Sequence, residues 1–340
     1  MKVVLITMVN NEEDIIEAFI RYHAAFVDKI VIADHHSSDR TPEIVSQLIE
    51  EGLPIELLTV QTIDFCQQEV MSSLLYKQAC LTRADWILPL DADEFLVSDG
   101  DVQASFTSMD QNHAYYVPRY VYVPTPVDNQ HEINPLKRIQ KRVVRTYPEL
   151  SKVIAPYTLA SNDSVYLSMG NHHLLRKEHD SSVRIPALDA TLFYIAHFPV
   201  RNVHQLEKKM FFNWPKSVAR GIHGQSTHRG EWFEYLMTHD HLTPEHLQQI
   251  ASRYSSLERQ MNNPVELIDD PLHAPELRYT KADGSDEYYK NMVKDISRIA
   301  LNIAKELATY KGKISQSPQR ISTLRHYCNS STDQHSEHVS

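Results

Sequence analysis

The sequence predicts an α/β fold with a mainly parallel, mixed sheet flanked by helices. Four apolar, β-branched runs lie within the first 90 residues, and a helical pattern follows each of the first three. Strands that alternate with helices at this spacing are typical of parallel sheets with helices on both faces. Polar clusters follow the first, second and fourth runs, at the carboxyl ends of the predicted strands, where such sheets bind ligands. The pattern therefore predicts a ligand site at one edge of the sheet.

The first strand is predicted over residues 2–9, because this continuous apolar run fits a strand that is buried on both faces. Asn10 and Asn11 end the run, and Glu12 begins the acidic first turn of a helix. The apolar positions of this helix fall on one face: Ile15, Ile16, Phe19, Ile20, Tyr22 and His23.

The next units repeat this pattern. Lys29–Asp34 is strand-like and ends on a carboxylate, and a helix follows with Thr41 as its N-cap, Pro42 at its first position and Gly52 after its end. The remaining elements of this half are predicted as a strand, a helix and a strand: Ile55–Val60, Val70–Leu81 and Trp86–Leu90.

After position 100 the pattern is less regular. Tyr115–Val123 is predicted as an edge or bulged strand, because Pro118 cannot donate to a ladder. The basic run Lys137–Arg145 either lines an anionic pocket or forms the solvated face of a strand. Val165–Met169 and Thr191–Ala196 are predicted strands that end in histidine-bearing loops.

The C-terminal third is predicted to be helical, over Gln205–Phe212, Glu231–Met237, Pro244–Tyr254 and Tyr288–Tyr310. The last helix either packs against the body or rests on an anionic membrane face, and packing is the commoner use of such a pattern. We divide the chain into a ligand-binding domain over residues 1–215, a helical extension over 216–312 and a disordered tail over 313–340.

The composition excludes several classes of protein. The 340 residues include 34 basic and 44 acidic ones, and the resulting charge of −10 argues against a nucleic-acid partner. The three cysteines have no spacing for a disulfide framework or a zinc site, which favours a reducing cytoplasm. No run approaches the roughly 20 apolar residues that span a bilayer, so only peripheral contact with the inner membrane face stays open.

The chemistry is predicted to centre on the acids that follow Trp86–Leu90. In a continuing strand, Asp91 and Asp93 would point the same way, on either side of the small Ala92, and could bind one divalent cation. Carboxylate oxygens suit Mg²⁺ or Mn²⁺, which leave coordination positions open for substrate phosphates. The alternative is a strand end whose acids cap a turn and face water.

Three stretches together resemble the family 2 glycosyltransferases of GT-A fold. They are Val9-Asn10-Asn11-Glu12-Glu13, Asp34-His35-His36-Ser37-Ser38-Asp39-Arg40-Thr41 and Ala84-Asp85-Trp86-Ile87-Leu88-Pro89-Leu90-Asp91-Ala92-Asp93-Glu94-Phe95. Their order and spacing match that family's asparagine-glutamate turn, its aspartate followed by Ser-x-Asp-x-Thr, and its Asp-x-Asp. Gly170-Asn171-His172 and the stretch 197–209 resemble later motifs of a bacterial branch, although Asn202 stands where that branch has serine.

The resemblance implies a metal-dependent enzyme that moves a sugar from a nucleotide-diphosphate sugar to a glycan or lipid-linked acceptor. It implies Mn²⁺ or Mg²⁺ between the two phosphates, and a role in surface polysaccharide or lipopolysaccharide synthesis. The donor would be bound by Asn11, Glu12, Asp34, Asp91, Arg201 and Lys209. The metal would be held by Asp91, Asp93 and His197.

Direct, inverting attack also needs a general base for the acceptor hydroxyl. We favour His172, because an unperturbed imidazole titrates near neutrality, and name Glu94 as the second candidate. The sequence leaves four further acids open: Asp163, Glu178, Asp180 and Asp189.

Two other functions fit parts of the pattern. One is a noncatalytic protein of the same fold that binds a nucleotide sugar or a carbohydrate. The other is a phosphotransferase with an Asp-x-Asp nucleophile pair, although such sites place the nucleophile after the first strand, whereas Asp91 follows the fourth.

Overall fold

The structure, a computed structural model, describes residues 1–60, 66–145, 150–219, 228–238, 242–254 and 265–282, with positions 296 and 303. The chain divides into two units, Met1–Gly284 and Ser285–Ser340, and every element below belongs to the first. Apart from those two helical positions, the predicted helix at 288–310 and the predicted tail lie outside the described residues. The predicted boundaries at 215 and 312 stay predictions.

Nine α-helices and fifteen strands are assigned within the described ranges. The strands are β1 (Val3–Val9), β2 (Lys29–Asp34), β3 (Ile55–Thr59), β4 (Trp86–Pro89), β5 (Glu94–Ser98), β6 (Ala114–Val117), β7 (Arg119–Val121), β8 (Lys141–Val143), β9 (Lys152–Pro156), β10 (Val165–Leu167), β11 (Leu174–Glu178), β12 (Ser181–Arg184), β13 (Ala187–Asp189), β14 (Phe193–His197) and β15 (Leu267–Asp269). The helices are α1 (Ile16–His23), α2 (Thr41–Glu50), α3 (Gln67–Thr82), α4 (Val102–Thr107), α5 (Pro135–Arg138), α6 (Tyr157–Ala160), α7 (Val203–Ala219), α8 (His228–Thr238) and α9 (Pro244–Ser252). No helix in these ranges is both long and apolar enough to cross a membrane.

The main sheet has seven strands in the order β13-β6-β9-β4-β1-β2-β3. β1 lies between β2 and β4 and is parallel to both, while β9 is antiparallel to its neighbours β4 and β6. This mostly parallel, mixed sheet with flanking helices confirms the predicted fold class.

The first strand is buried on both faces, as its continuous apolar run predicts. Val3 and Leu5 belong to one core with residues of α1 and α2, whereas Val4 and Ile6 belong to a second core with residues of α3. Successive side chains of a strand point to opposite faces, so the run supplies both cores at once. The two cores hold the sheet between its helical layers and fix the edge where its strands end.

A second, three-stranded sheet has the order β5-β14-β7. β14 runs antiparallel to β5, with His197 opposite Glu94. This register brings the histidine that ends β14 next to the acids that precede β5.

The prediction of one edge strand over Tyr115–Val123 is wrong. Pro118 divides the segment into β6, which is paired on both sides in the main sheet, and β7, which pairs with β14 in the other sheet. The proline lies at the point where the chain changes sheets, and it therefore interrupts neither ladder.

The basic run Lys137–Arg145 does not form an anionic pocket in the described structure. Lys137 pairs with Glu276 at 2.7 Å and Lys141 with Asp269 at 2.8 Å. Arg142 donates to Asp270 and stacks 3.8 Å from the ring centre of Tyr120. These side chains attach the segment 267–276 to the domain. That segment lies over 120 positions away from them in sequence.

Candidate active site

The polar clusters that follow β1, β2 and β4 lie at one edge of the main sheet, because these three strands are adjacent and parallel. Each cluster ends a buried strand, so its side chains stand where the apolar core gives way to the surface. The edge is the ligand-binding position that the sequence predicts.

The loop after β1 builds one wall of this edge. Asn11 adopts a left-handed backbone with φ of 59°, a conformation that asparagine tolerates better than most residues. Its side-chain oxygen accepts hydrogen bonds from the backbone N–H groups of Ser38 at 2.8 Å and Asp39 at 3.3 Å. Asn11, which was predicted to contact the nucleoside, therefore holds the β1 loop against the β2 loop.

Thr41 has a different place from the predicted N-cap. The helix α2 begins at Thr41 itself, and the capping position is Arg40. The Thr41 hydroxyl accepts from the Glu12 N–H at 2.9 Å and donates to Asp39 at 2.6 Å. The threonine thus links the same two loops as Asn11.

Asp34 ends β2 with an unsatisfied carboxylate oxygen. The residue is 7% exposed, and its Oδ2 accepts from the Ser37 N–H at 3.3 Å. Its buried Oδ1 has no hydrogen-bond partner in the described residues. An unpaired buried acceptor costs free energy, so this oxygen is suited to a ligand donor.

The Asp91-x-Asp93 segment is a turn and not a strand end. β4 stops at Pro89, and the Glu94 N–H donates to the Asp91 carbonyl at 3.0 Å to close the turn. The alternation of a strand therefore does not apply, and the expectation that both carboxylates point the same way fails for this reason. The two acids pair with different ammonium groups.

Asp91 is held by a buried lysine. Lys152 Nζ donates to Asp91 Oδ2 at 2.7 Å, pairs with Glu94 Oε2 at 2.9 Å and donates to the Gly170 carbonyl at 2.8 Å. Gln67 Nε2 donates to the other Asp91 oxygen at 2.8 Å. The Asp91 side chain keeps 30% of its surface exposed, so it can still reach a ligand.

Asp93 is buried among three cationic or imidazole groups. Lys209 Nζ donates to its Oδ2 at 2.8 Å, Arg201 Nη1 lies 3.8 Å from the same oxygen, and His197 Nε2 lies 3.5 Å from Oδ1. Burial opposes ionisation, but Lys209 and its neighbours outweigh it and hold the pKa of Asp93 well below its ordinary value. Asp93 is therefore a carboxylate at neutral pH.

His197 is neutral at the same pH. Burial, helped by Arg119, lowers its pKa to about 3. Its Nδ1 is buried and has no hydrogen-bond partner in the described residues, while Nε2 faces Asp93. A neutral imidazole has a lone pair for a metal ion, which a protonated one lacks.

Arg201 is not placed for direct contact with a diphosphate. Its side chain is fully buried and donates to Asp14 through two nitrogens at 2.6 and 2.8 Å, to Glu12 at 2.6 Å and to the Phe198 carbonyl at 3.1 Å. Burial raises the pKa of Glu12 to about 7 despite this pairing. Arg201 and Glu12, both predicted to bind the donor, instead join the segment between β14 and α7 to the β1 loop.

The two named candidates for the base each lack one requirement. Burial lowers the pKa of His172 to about 4, and its Nδ1 bonds the Ser151 carbonyl at 2.9 Å, so it is a weak base at neutral pH. Burial raises the pKa of Glu94 to about 7, which suits a base, but the residue is fully buried and cannot reach an acceptor directly.

Sequence reasoning missed Lys152 and Asp14 as site residues. Lys152 begins β9, and nothing in its neighbourhood distinguishes it from an ordinary lysine at a strand end. Asp14 was read as part of an acidic helix turn, and only the fold brings it to Arg201, 187 positions away. The residues next to a charged side chain in the sequence do not show which distant residue it will pair with.

Comparison with known families identifies the N-terminal half of the chain. Residues 4–166 match the model of the family described as Glycosyl transferase family 2. These residues are a family 2 glycosyltransferase domain. This match confirms the predicted family for residues 4–166 and supports the predicted enzyme class, a glycosyltransferase. A search of curated protein sequences found no match.

The solved structures that are similar to this chain are distant. Glucosyl-3-phosphoglycerate synthase from Mycobacterium tuberculosis with Mg²⁺ and uridine diphosphate is 15% identical, with a TM-score of 0.25, over 35% of this chain and 43% of that one. The same enzyme with Mn²⁺, uridine diphosphate and phosphoglyceric acid is 13% identical, with a TM-score of 0.28, over 46% and 56%. HddC from Yersinia pseudotuberculosis is 10% identical, with a TM-score of 0.31, over 58% and 93%. This chain spans less than two thirds of the length of the mycobacterial chains.

The resemblance implies a divalent cation, and the side chains at this edge show whether they could bind one. Asp93 Oδ1 and the neutral His197 Nε2 lie 3.5 Å apart, a separation at which both can contact one ion at about 2.1 Å. The described residues contain no group of three or more His, Cys, Asp or Glu side chains that could hold a metal. Asp91, the third predicted ligand, is bound to Lys152 instead. The pair fits an ion whose other positions are filled by substrate oxygens.

Proposed function

We propose that the protein transfers a sugar from a nucleotide-diphosphate sugar to a hydroxyl acceptor. The observation that carries this proposal is the family 2 domain over residues 4–166, in which the ends of β2 and β4 bring Asp34, Asp91 and Asp93 to one edge of the sheet. A nucleoside needs a hydrogen-bond acceptor, a diphosphate needs positive charge and a sugar needs polar side chains. This edge of the sheet has a group for each of the three.

The nucleoside is proposed to bind at Asp34. Its Oδ1 is buried and unpaired in the described structure, so a base N–H or a ribose hydroxyl gains a hydrogen bond without displacing another donor. Asn11 and Thr41 support this position by holding the two neighbouring loops together. Their contribution to donor binding is therefore indirect.

The diphosphate is proposed to bind between Asp93 and Lys209. Mn²⁺ or Mg²⁺ would be held by Asp93 and His197, and when bound it stabilises the negative charge on the leaving diphosphate. Lys209 supplies a second positive charge, because its side chain is 14% exposed and its Nζ stands beside Asp93. Arg201 keeps Asp93 and the β1 loop in place but does not contact the donor.

The sugar is proposed to lie beside Asp91. As the bond between the anomeric carbon and the diphosphate oxygen breaks, positive charge develops on the sugar ring. The Asp91 carboxylate is exposed and fixed by Lys152 and Gln67, so it can bond a sugar or ribose hydroxyl without reorienting. Fixed polar groups of this kind favour a charged transition state.

The acceptor and pathway rest on the family resemblance. We propose a glycan or a lipid-linked sugar as the acceptor, in surface polysaccharide or lipopolysaccharide synthesis. A cytoplasmic enzyme with peripheral membrane contact fits that role. The acceptor hydroxyl loses its proton on attack, and neither His172, whose pKa is lowered to about 4, nor the fully buried Glu94 is suited to take that proton directly.

The donor site can be tested by nucleotide binding. Thermal shift with UDP, GDP, ADP and dTDP, each with and without Mn²⁺, should raise the melting temperature for at least one of them, because a ligand that binds the folded state stabilises it. Asp34→Asn should weaken that nucleotide roughly tenfold or more, because one acceptor oxygen becomes an amide donor. Asp99→Asn, an exposed change after β5, is the matched control. If no nucleotide stabilises the protein, the proposal fails.

A further inference from the structure

Lys209 neutralises the carboxylate that a cation would use, on the oxygen that faces away from His197. Its Nζ lies 2.8 Å from Asp93 Oδ2 and 3.4 Å from the Pro199 carbonyl, and 5.7 Å from the ring centre of Tyr254. An ammonium at this distance from a carboxylate forms a charge-assisted hydrogen bond. A divalent cation between Oδ1 and His197 would compete with this ammonium for the charge of the same carboxylate.

The surroundings of Asp93 are already electrically balanced. Arg201 Nη1 lies 3.8 Å from the same oxygen and cannot move away, because Asp14 and Glu12 hold the rest of its guanidinium. A cation that enters alone would meet one carboxylate with two positive neighbours. Repulsion between like charges at a few ångströms in a buried site is substantial, so the free protein should bind a divalent cation weakly.

The other acid of the turn, Asp91, has no free negative charge to offer a cation. It is paired with Lys152, whose side chain is 1% exposed and has two further acceptors, Glu94 and the Gly170 carbonyl. Lys152 is therefore fixed, whereas Lys209 is the partly exposed lysine at the end of a flexible stem. Of the two ammonium groups on these acids, Lys209 is the one that can leave.

A nucleotide diphosphate changes the charge around Asp93, because it brings negative phosphate oxygens to this edge of the sheet. Those oxygens can fill the positions of the metal that Asp93 and His197 leave open. They can also accept hydrogen bonds from an ammonium that has left Asp93.

We propose that Lys209 neutralises Asp93 in the nucleotide-free protein, and that a divalent cation binds Asp93 and His197 only together with a nucleotide diphosphate, to which Lys209 then transfers. This inference rests on the proposed function and specifies how the donor site is assembled. It makes metal binding dependent on nucleotide, with Lys209 as the residue responsible.

The test is Mn²⁺ binding to the full chain, measured by the electron paramagnetic resonance signal of free Mn²⁺, without and with the nucleotide that stabilises the protein most. Without nucleotide, Lys209→Met should bind Mn²⁺ about tenfold or more tightly than the unmodified protein, because one competing charge is gone. With nucleotide, the unmodified protein should bind Mn²⁺ at least about tenfold more tightly than without it.

Lys208→Met is the matched control. This neighbouring lysine on α7 pairs with Glu13 at 2.6 Å and lies 3.5 Å from Asp39, so its loss removes the same charge away from Asp93. Lys208→Met should leave Mn²⁺ affinity within about twofold. Thermal unfolding of both variants shows whether each is folded.

Two results would overturn the inference. One is equal Mn²⁺ affinity with and without a nucleotide that binds, and the other is the same Mn²⁺ affinity in Lys209→Met and Lys208→Met. Nucleotide binding measured without metal separates these from failure of the proposed function, since a protein that binds no nucleotide fails at that earlier step.

Discussion

At the scale of single residues, the acids of the Asp91–Glu94 turn are paired with two lysines. Lys152 pairs with Asp91 and Glu94, and Lys209 pairs with Asp93. Burial opposes the charge on Lys152, yet Asp91 and Glu94 outweigh it and raise its pKa. A buried charge is tolerated only when it is paired and hydrogen-bonded, and Lys152 satisfies both conditions.

Removal of Lys152 should therefore destabilise the protein strongly. Lys152→Met leaves two acids beside an apolar side chain, and the free energy of unfolding should fall by about 3–5 kcal/mol. Adding Glu94→Gln should recover part of this loss, because the buried carboxylate is then neutral. Chemical denaturation of the single and double variants measures both effects.

Lys141→Met is the control for this change. Its partner Asp269 is largely exposed, and exposed ion pairs contribute at most about 1 kcal/mol. Equal losses of stability in Lys152→Met and Lys141→Met would show that Lys152 does not neutralise a buried cluster.

At the scale of elements, one carboxylate on α1 attaches a distant segment to the domain. Glu17 is fully buried and accepts from the backbone N–H groups of Arg278 at 2.7 Å, Tyr279 at 2.9 Å and Thr280 at 2.7 Å. Burial opposes its charge, but these bonds outweigh it and lower its pKa. With Arg142 and its neighbours, Glu17 holds residues 267–280 against the fold.

Glu17→Gln should loosen this segment. The amide keeps one acceptor oxygen but turns an NH₂ group toward backbone donors, so at least one N–H is left unpaired at a cost of about 1–3 kcal/mol. Hydrogen exchange at residues 278–280 should then accelerate on the order of tenfold or more. Glu43→Gln, at an exposed ion pair with Arg40, should leave that exchange unchanged. Unchanged exchange in Glu17→Gln would contradict the role of Glu17.

Helices and strands were predictable where the spacing of apolar residues in the sequence reflects which side chains are buried. The first four strands and three helices were predicted within about four residues, because a strand buried on both faces is apolar throughout. β5 and β9 were missed: β5 is hidden by the acids before it, and β9 lies in a region whose pattern is irregular. Pro118 was misread because a sequence does not show that a chain changes sheets.

At the scale of the whole molecule, the edge of the sheet was predictable and its internal pairing was not. The polar ends of β1, β2 and β4 are local features, and parallel pairing places them together. The pairs Asp91 with Lys152, Asp93 with Lys209 and Arg201 with Asp14 span 61 to 187 positions. Such contacts exist only once the fold is formed, so the role predicted for Arg201 had no local evidence against it.

The central claim is that this edge turns over a nucleotide sugar, and release of nucleoside diphosphate from a panel of nucleotide sugars in Mn²⁺ tests it most directly. The account predicts that at least one donor is slowly hydrolysed without acceptor, that Asp93→Asn lowers this rate by roughly a hundredfold or more, and that Asp99→Asn does not. A folded protein that hydrolyses no donor, or an Asp93→Asn variant as active as the unmodified protein, would contradict it.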